Sequence, residues 1–259
     1  MMNITKSSNP VFNERGFGRD YSSSSNVMTV NGTMNKTALM LLLVIASAVF
    51  TWNKFFEAVS VGGKGMAAVG PWLAIGGIGG FIMVLVTVFR PQSSGISAPI
   101  YAVFEGLFLG GISAIFEERF RPEGQSIVLR AVMLTFAVFA AMLFLYRSGI
   151  IKVTRKFALG VFAATAGIAV VYLVSFIGGF FGMNTSFLHG SGNLSIGISL
   201  VIVAIAALNL VLDFSFIENA SAQGAPKYME WYGAFGLMVT LIWLYLEILR
   251  LLAKLASRD

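Results

Sequence analysis

The sequence predicts an all-α integral membrane protein, a bundle of seven transmembrane helices. Seven apolar stretches fill the chain from Thr37 to Leu252. Each is close to the ~20 residues that a helix needs to cross a hydrocarbon core about 30 Å thick. None shows the period-two alternation of a transmembrane barrel, so their backbone groups must be satisfied within helices. The predicted spans are Thr37–Trp52, Gly70–Phe89, Ala98–Phe116, Ile127–Tyr146, Phe157–Phe181, Leu194–Ile217 and Ala234–Leu252.

Composition supports the same fold class independently. Hydrophobic residues make up 57% of the chain and charged residues 12%, with a mean hydropathy of +0.81. Soluble globular domains average about 45–50% and 25% for these two classes. The absence of cysteine excludes disulfides, thiol catalysis and cysteine-bound metal clusters. The net charge of +6 comes from basic residues beside helix ends, so it indicates membrane topology and not nucleic-acid binding.

The N-terminal region differs from the rest of the chain. Residues 1–36 are polar, include four consecutive serines from Ser22 to Ser25, and show no apolar periodicity. They are predicted to form a disordered tail, because so little apolar surface cannot offset the entropy of ordering. Residues 37–259 are predicted to form a single seven-helix transmembrane domain. The region lacks a signal-peptide pattern, so we expect the first span to be retained.

The distribution of lysine and arginine predicts the orientation. The loop from Arg147 to Lys156 carries four positive charges and no acid, whereas the loop after the fifth span carries no basic residue. Short cytoplasmic loops are enriched in basic residues. The N-terminus is therefore predicted to be cytoplasmic and the C-terminus to lie outside.

Three acidic residues interrupt the apolar spans, namely Glu105, Asp213 and Glu247. A charged carboxylate at mid-membrane costs about 2.5–3.5 kcal/mol even on insertion scales, so each is expected to face the bundle interior. They are either proton-sensing groups or structural hydrogen-bonding groups. Near the helix ends, Asp213 and Glu247 could also reach the membrane surface. Arg250 follows Glu247 by three residues and is a possible ion-pair partner that would mute a switch.

Two carboxyl groups in one low-dielectric site would behave differently. Their second ionisation is disfavoured both by desolvation and by the first negative charge, so one proton would exchange near neutral pH. Such a pair also supplies the hard oxygen ligands that calcium prefers. Asp213 and Glu247 are therefore candidates for transient calcium contact.

Glycine is clustered within the third span. Gly106 and Gly110 are four residues apart and so lie on one helix face. We interpret them as a site of close helix–helix packing. No strand precedes them and no Lys-Ser/Thr follows, which argues against a phosphate-binding loop.

An enzymatic function is not predicted, and no cofactor is implied. The only histidine, His189, lies in a glycine-rich loop away from the apolar spans. A serine or zinc hydrolase would need it beside a nucleophile or a second ligand in a protected site. A retinal-binding protein would need a lysine in mid-helix, but the last span has only Lys254 at its end.

Several segments of the chain resemble the transmembrane Bax inhibitor motif family, most closely its bacterial branch. The resemblance covers nearly everything after the tail, and it is specific because several segments occur together. The segments are Pro99–Gly106, Ala206–Phe214, Met229–Gly236 and Leu244–Ile248, with Ser7–Val11 at the start.

This resemblance implies a seven-helix bundle with the last helix at its centre. It also implies a pH-sensitive calcium leak governed by two aspartates on the last two helices. Asp213 matches the first aspartate, and Glu247 matches the second by its Tyr-Leu-acid context, with glutamate replacing aspartate. Glu247 follows Pro226 by 21 residues, about 30 Å along a helix, whereas Asp213 precedes the same loop closely. Asp213 therefore pairs with Glu247 only if residues 226–235 lie outside the spanning helix. Helix depth favours Glu105 as the partner, whereas the specific Tyr-Leu-acid context favours Glu247.

The leading functional hypothesis is a pH-sensitive cation channel, a calcium leak, in the cell membrane, specifically a bacterial cytoplasmic membrane. The alternative is a membrane interaction protein that regulates a membrane protease or a cell-death or stress-response pathway. A proton-coupled exporter is a third possibility. The implied partners are membrane lipid, calcium or protons, and in the alternative a membrane protease, but not nucleic acid.

Overall fold

The computed structural model of the chain describes residues 27–120, 125–182 and 190–257. Within these ranges seven long helices occur, each long and apolar enough to cross a membrane. The predicted seven-helix membrane fold is confirmed. The helices are α1 (Val30–Ser60), α2 (Gly65–Phe89), α3 (Ser94–Phe120), α4 (Ile127–Arg147), α5 (Arg155–Phe180), α6 (Asn193–Ala222) and α7 (Met229–Ala256), with a 3₁₀ turn over Pro91–Ser93.

The first helix begins earlier than predicted. Helix α1 starts at Val30 and not at Thr37, because Thr29 caps it: the Gly32 N–H donates to Thr29 Oγ1 at 3.0 Å. Residues 30–36, which the sequence assigned to the tail, are therefore helical. Residues 1–26 of the predicted tail lie outside the described part of the chain, as does His189.

The last helix occupies the centre of the bundle. It contacts α1, α3, α4 and α6, and its side chains at Leu237, Met238 and Leu244 have no exposed surface. Helix α7 is continuous from Met229 to Ala256 and starts five residues before the predicted Ala234. The possibility that residues 229–235 lie apart from the spanning helix is therefore wrong.

Glycine allows α1 and α3 to pack closely. A β-carbon added at Gly106 would lie 2.4 Å from Val44 O, and one added at Gly110 would lie 2.1 Å from Ala48 O. Backbone atoms of α1 thus occupy the space that any larger residue would need. The predicted small-residue packing face on α3 is confirmed.

Helix α5 lies at the edge of the bundle. Most of its side chains are exposed, which in a membrane means that they face lipid. Among the described residues, polar contacts of two side chains, Thr165 and Tyr172, attach it to the bundle. Asn209 Nδ2 on α6 donates to Thr165 Oγ1 at 2.8 Å, and Tyr172 reaches α7. Polar contacts between transmembrane helices contribute modestly, on average about 0.6 kcal/mol, so α5 is weakly held.

Candidate functional site: the intramembrane carboxyl groups

Asp213 lies between α6 and α7 at intermediate depth. It is nine residues before the end of α6, and Thr240, whose side chain faces its carboxyl group, is eleven residues into α7. These separations are about 14 and 17 Å along the two helices, so antiparallel packing places the residues opposite each other. Asp213 Oδ2 is buried and has no hydrogen-bond partner in the described part of the chain. Buried polar atoms are rarely left without a partner, which makes this oxygen unusual.

Glu247 has a very different environment, because its carboxylate is almost fully satisfied. Its side chain is only 2% exposed and accepts hydrogen bonds from Tyr172 Oη at 2.8 Å and from Trp243 Nε1 at 3.2 Å. Arg250 Nη1 lies 2.9 Å from Glu247 Oε1 and donates to Tyr172 Oη at 2.7 Å. The ion pair suggested by the sequence spacing is therefore present, with a phenol from α5 completing it.

Glu105 lies at the contact between α2 and α3. A β-carbon added at Gly80 would lie 3.1 Å from Glu105 Oε2, so the carboxyl group rests against the α2 backbone where a side chain is missing. Glu105 is half-buried, and Tyr101 lies one turn before it on α3. The missing side chain at Gly80 leaves space for the Glu105 carboxyl group, and no cation in the described part of the chain neutralises that group.

The structure does not bring the three acids together. Asp213 faces Thr240, and Glu247 lies seven residues further along α7, about 10 Å further from the α6–α7 turn. Glu105 faces α2 on another side of the bundle. The expected pairing of Asp213 with either acid is not found. The continuous helix α7 places Glu247 too far along its axis from Asp213, and Glu105 on α3 faces α2 and not Asp213. The described residues also contain no group of three potential metal ligands.

Sequence reasoning missed a fourth acid, Glu230, at the first turn of α7. Its side chain is fully buried and pairs with Lys36 and with Lys227, the latter at 2.9 Å. The backbone N–H and the hydroxyl of Thr29 both donate to Glu230 Oε1 at 2.9 Å. A detectable signal was its place in Met229–Gly236, one of the segments that carry the family resemblance.

Tyr172 was missed for a different reason. After the basic first two residues of α5, it is one of the few polar residues of the helix, together with Thr165 and Ser175. A phenol in such a helix signals a polar partner, because a buried Tyr hydroxyl normally finds one. The partner on α7 is 75 residues away in sequence and follows only from the tertiary packing.

Two cavities between the helices are apolar. One, of about 410 Å³, opens between α1 and α4 and reaches the Ser113–Tyr245 hydrogen bond. The other, of about 680 Å³, lies between α5 and α6 beside Tyr172. No charged side chain of the described residues lines either cavity, so neither offers ions a polar route across the membrane in this conformation.

A comparison with known protein families gives a match over nearly the whole length of the chain. The family model described as Bax inhibitor 1 like matches residues 9–257. The chain belongs to this family. Family membership agrees with the membrane fold and confirms the resemblance seen in the sequence. Comparisons with curated proteins and with solved structures gave no match for this Bax inhibitor 1 like protein.

Proposed function

We propose that this protein is a gated leak pathway for cations, calcium foremost, with Asp213 as its proton-sensing group. The observation that carries the proposal is the buried, unpartnered Oδ2 of Asp213 between the last two helices. An ionised carboxylate in apolar surroundings is costly when one of its oxygens lacks a donor, and either a proton or a passing cation relieves that cost. The same carboxyl group therefore responds to pH and offers a cation a transient ligand.

Glu247 has a supporting role in this proposal. Its carboxylate is already neutralised by Arg250 and accepts hydrogen bonds from Tyr172 and Trp243. A cation would have to displace these partners, whereas Asp213 Oδ2 has no hydrogen-bond partner to lose among the described residues. Glu247 thus holds α5 against α7. We assign transient calcium contact to Asp213. Glu105 is a second half-buried carboxyl group, on another side of the bundle.

The test is calcium flux into liposomes that contain the purified protein, measured at several pH values. We expect a flux above that of protein-free liposomes that changes with pH, and a larger flux for calcium than for a bulky organic cation. Absence of calcium flux at every pH would reject the leak and favour the interaction-protein alternative. A flux that does not change with pH would reject the sensing role.

We also propose that the N-terminus of this multi-pass protein is cytoplasmic. In this orientation the basic α4–α5 loop also lies on the cytoplasmic side. That loop holds Arg147, Lys152, Arg155 and Lys156 and no acid. A reporter that is active only outside the cytoplasm should be inactive when fused at Ser148. An active reporter at Ser148 would invert the orientation.

A further inference from the structure

Residues 27–29, here called the latch, lie across the turn that joins α6 to α7. Val27 forms an antiparallel backbone bridge with Pro226, and the Met28 N–H donates to Ala225 O at 2.7 Å. Ser221 Oγ at the end of α6 donates to Met28 O at 3.2 Å. The latch therefore pairs through its backbone with a turn that lies almost 200 residues later in the chain.

The latch is also anchored by side chains. Met28 is 1% exposed and belongs to the main hydrophobic cluster of the bundle. A β-carbon at Gly233 would lie 3.4 Å from Met28 Cε and 3.2 Å from Ile217 Cγ1. The Met28 side chain thus inserts between α6 and the first turns of α7.

Glu230, in the first turn of α7, connects the latch to the α6–α7 turn and to α1. Its Oε1 accepts from the Thr29 N–H, the Thr29 hydroxyl and Lys227, and its Oε2 pairs with Lys36 of α1. Its position at the helix start also suits a negative charge. Space for the carboxylate depends on Gly32, because a β-carbon there would lie 2.1 Å from Glu230 Oε1.

The energetics of such a contact favour reversible docking. Buried ion pairs contribute little net stability, because desolvation offsets most of the Coulombic attraction. The remaining interactions are the burial of one methionine and a few backbone hydrogen bonds, against the entropy of ordering three residues. Short segments held by few contacts belong to the parts of a protein that open most easily.

We propose that residues 27–29 are a releasable latch that holds the α6–α7 hairpin closed, with Glu230 as its anchor. The hairpin carries Asp213 on one helix and Thr240 on the other, so its opening changes the separation of the two helices at the carboxyl group. This consequence for conduction rests on the proposed function, whereas the latch itself does not.

Cross-linking tests the docking directly, since the chain contains no cysteine. Bridge-paired residues on antiparallel strands have Cα atoms about 4.5–5.5 Å apart, which suits a disulfide. The double variant Val27→Cys/Pro226→Cys should therefore form an intramolecular disulfide on mild oxidation in membranes. Failure to form it would overturn the latch.

Hydrogen–deuterium exchange of the turn, residues 221–228, tests whether the latch holds the hairpin. Gly32→Ala should speed exchange at least about fivefold, the factor expected for a loss near 1 kcal/mol, and the oxidised disulfide should slow it. Gly236→Ala, on α7 with nothing within 4 Å of the added β-carbon, is the matched control and should match the parent. If Gly32→Ala does not fold, exchange of the same residues is measured in Glu230→Gln, which should also exchange faster than the parent. Exchange equal to the parent in whichever variant folds overturns the proposal.

Calcium flux of the same disulfide variant, oxidised and reduced, separates the two proposals. The oxidised protein should conduct less than the reduced protein. Equal conduction in both forms would overturn control of the pathway by the latch. Absence of conduction in both forms and in the parent would count against the leak function instead, while exchange still decides the latch.

Discussion

Replacing Arg250 by methionine should lower the stability of the protein by about 2–3 kcal/mol. The change leaves the Glu247 carboxylate, 2% exposed, without its cation. Breaking a fully buried ion pair typically costs about 3–5 kcal/mol, and the 33% exposure of Arg250 places this pair below that range. Tyr172 also loses the 2.7 Å hydrogen bond that Arg250 donates, so α5 should detach more easily.

Thermal unfolding in detergent measures this loss against two controls. Lys54→Met breaks an exposed pair with Glu57 at the same three-residue spacing, and it should cost less than about 1 kcal/mol. The double variant Arg250→Met/Glu247→Met should recover most of the loss, because neither charge of the pair remains. If Arg250→Met is no worse than Lys54→Met, the Glu247–Arg250 pair does not stabilise the contact of α7 with Tyr172 on α5.

Gly110→Ala should destabilise the contact between α1 and α3 by about 3 kcal/mol, the upper end for overpacking. The added β-carbon would lie 2.1 Å from Ala48 O, a backbone atom that cannot turn aside, and 2.2 Å from Thr51 Oγ1. The helices must then move apart. Gly160→Ala on α5, where nothing lies within 4 Å, is the matched control and should be neutral.

The measurement for Gly110 is the fraction of protein that remains monodisperse after heating in detergent, compared with the Gly160 control. We expect early aggregation for Gly110→Ala and parental behaviour for Gly160→Ala. Parental behaviour of both variants would mean that α1 and α3 do not pack as closely as the structure places them.

The parts of the fold that depend on local sequence were predictable. The lengths of the apolar runs predicted the number of helices, and the four-residue spacing of Gly106 and Gly110 predicted a face for helix–helix packing. The three-residue spacing of Glu247 and Arg250 gave their ion pair. Each of these follows from helix geometry alone, without knowledge of which helices are neighbours.

The contacts of the carboxyl groups depend on tertiary packing and were not predictable in the same way. Thr240 faces Asp213 because α7 starts at Met229 and runs without a break, whereas the sequence suggested a later start. Thr29 and Glu230 are 201 residues apart, and no periodicity within either segment links them. The early start of α1 follows from the same contact, because the capping residue Thr29 is held in place by α7.

The most direct test of the central claim compares the pH profile of calcium flux for the parent and for Asp213→Asn in liposomes. Asparagine has nearly the same volume and still forms hydrogen bonds but cannot ionise, so the variant should lose the pH dependence of the parent. Glu57→Gln, which changes an exposed carboxylate, should keep the parental profile. A folded Asp213→Asn protein that retains the parental pH profile would contradict the assignment of Asp213 as the proton-sensing group.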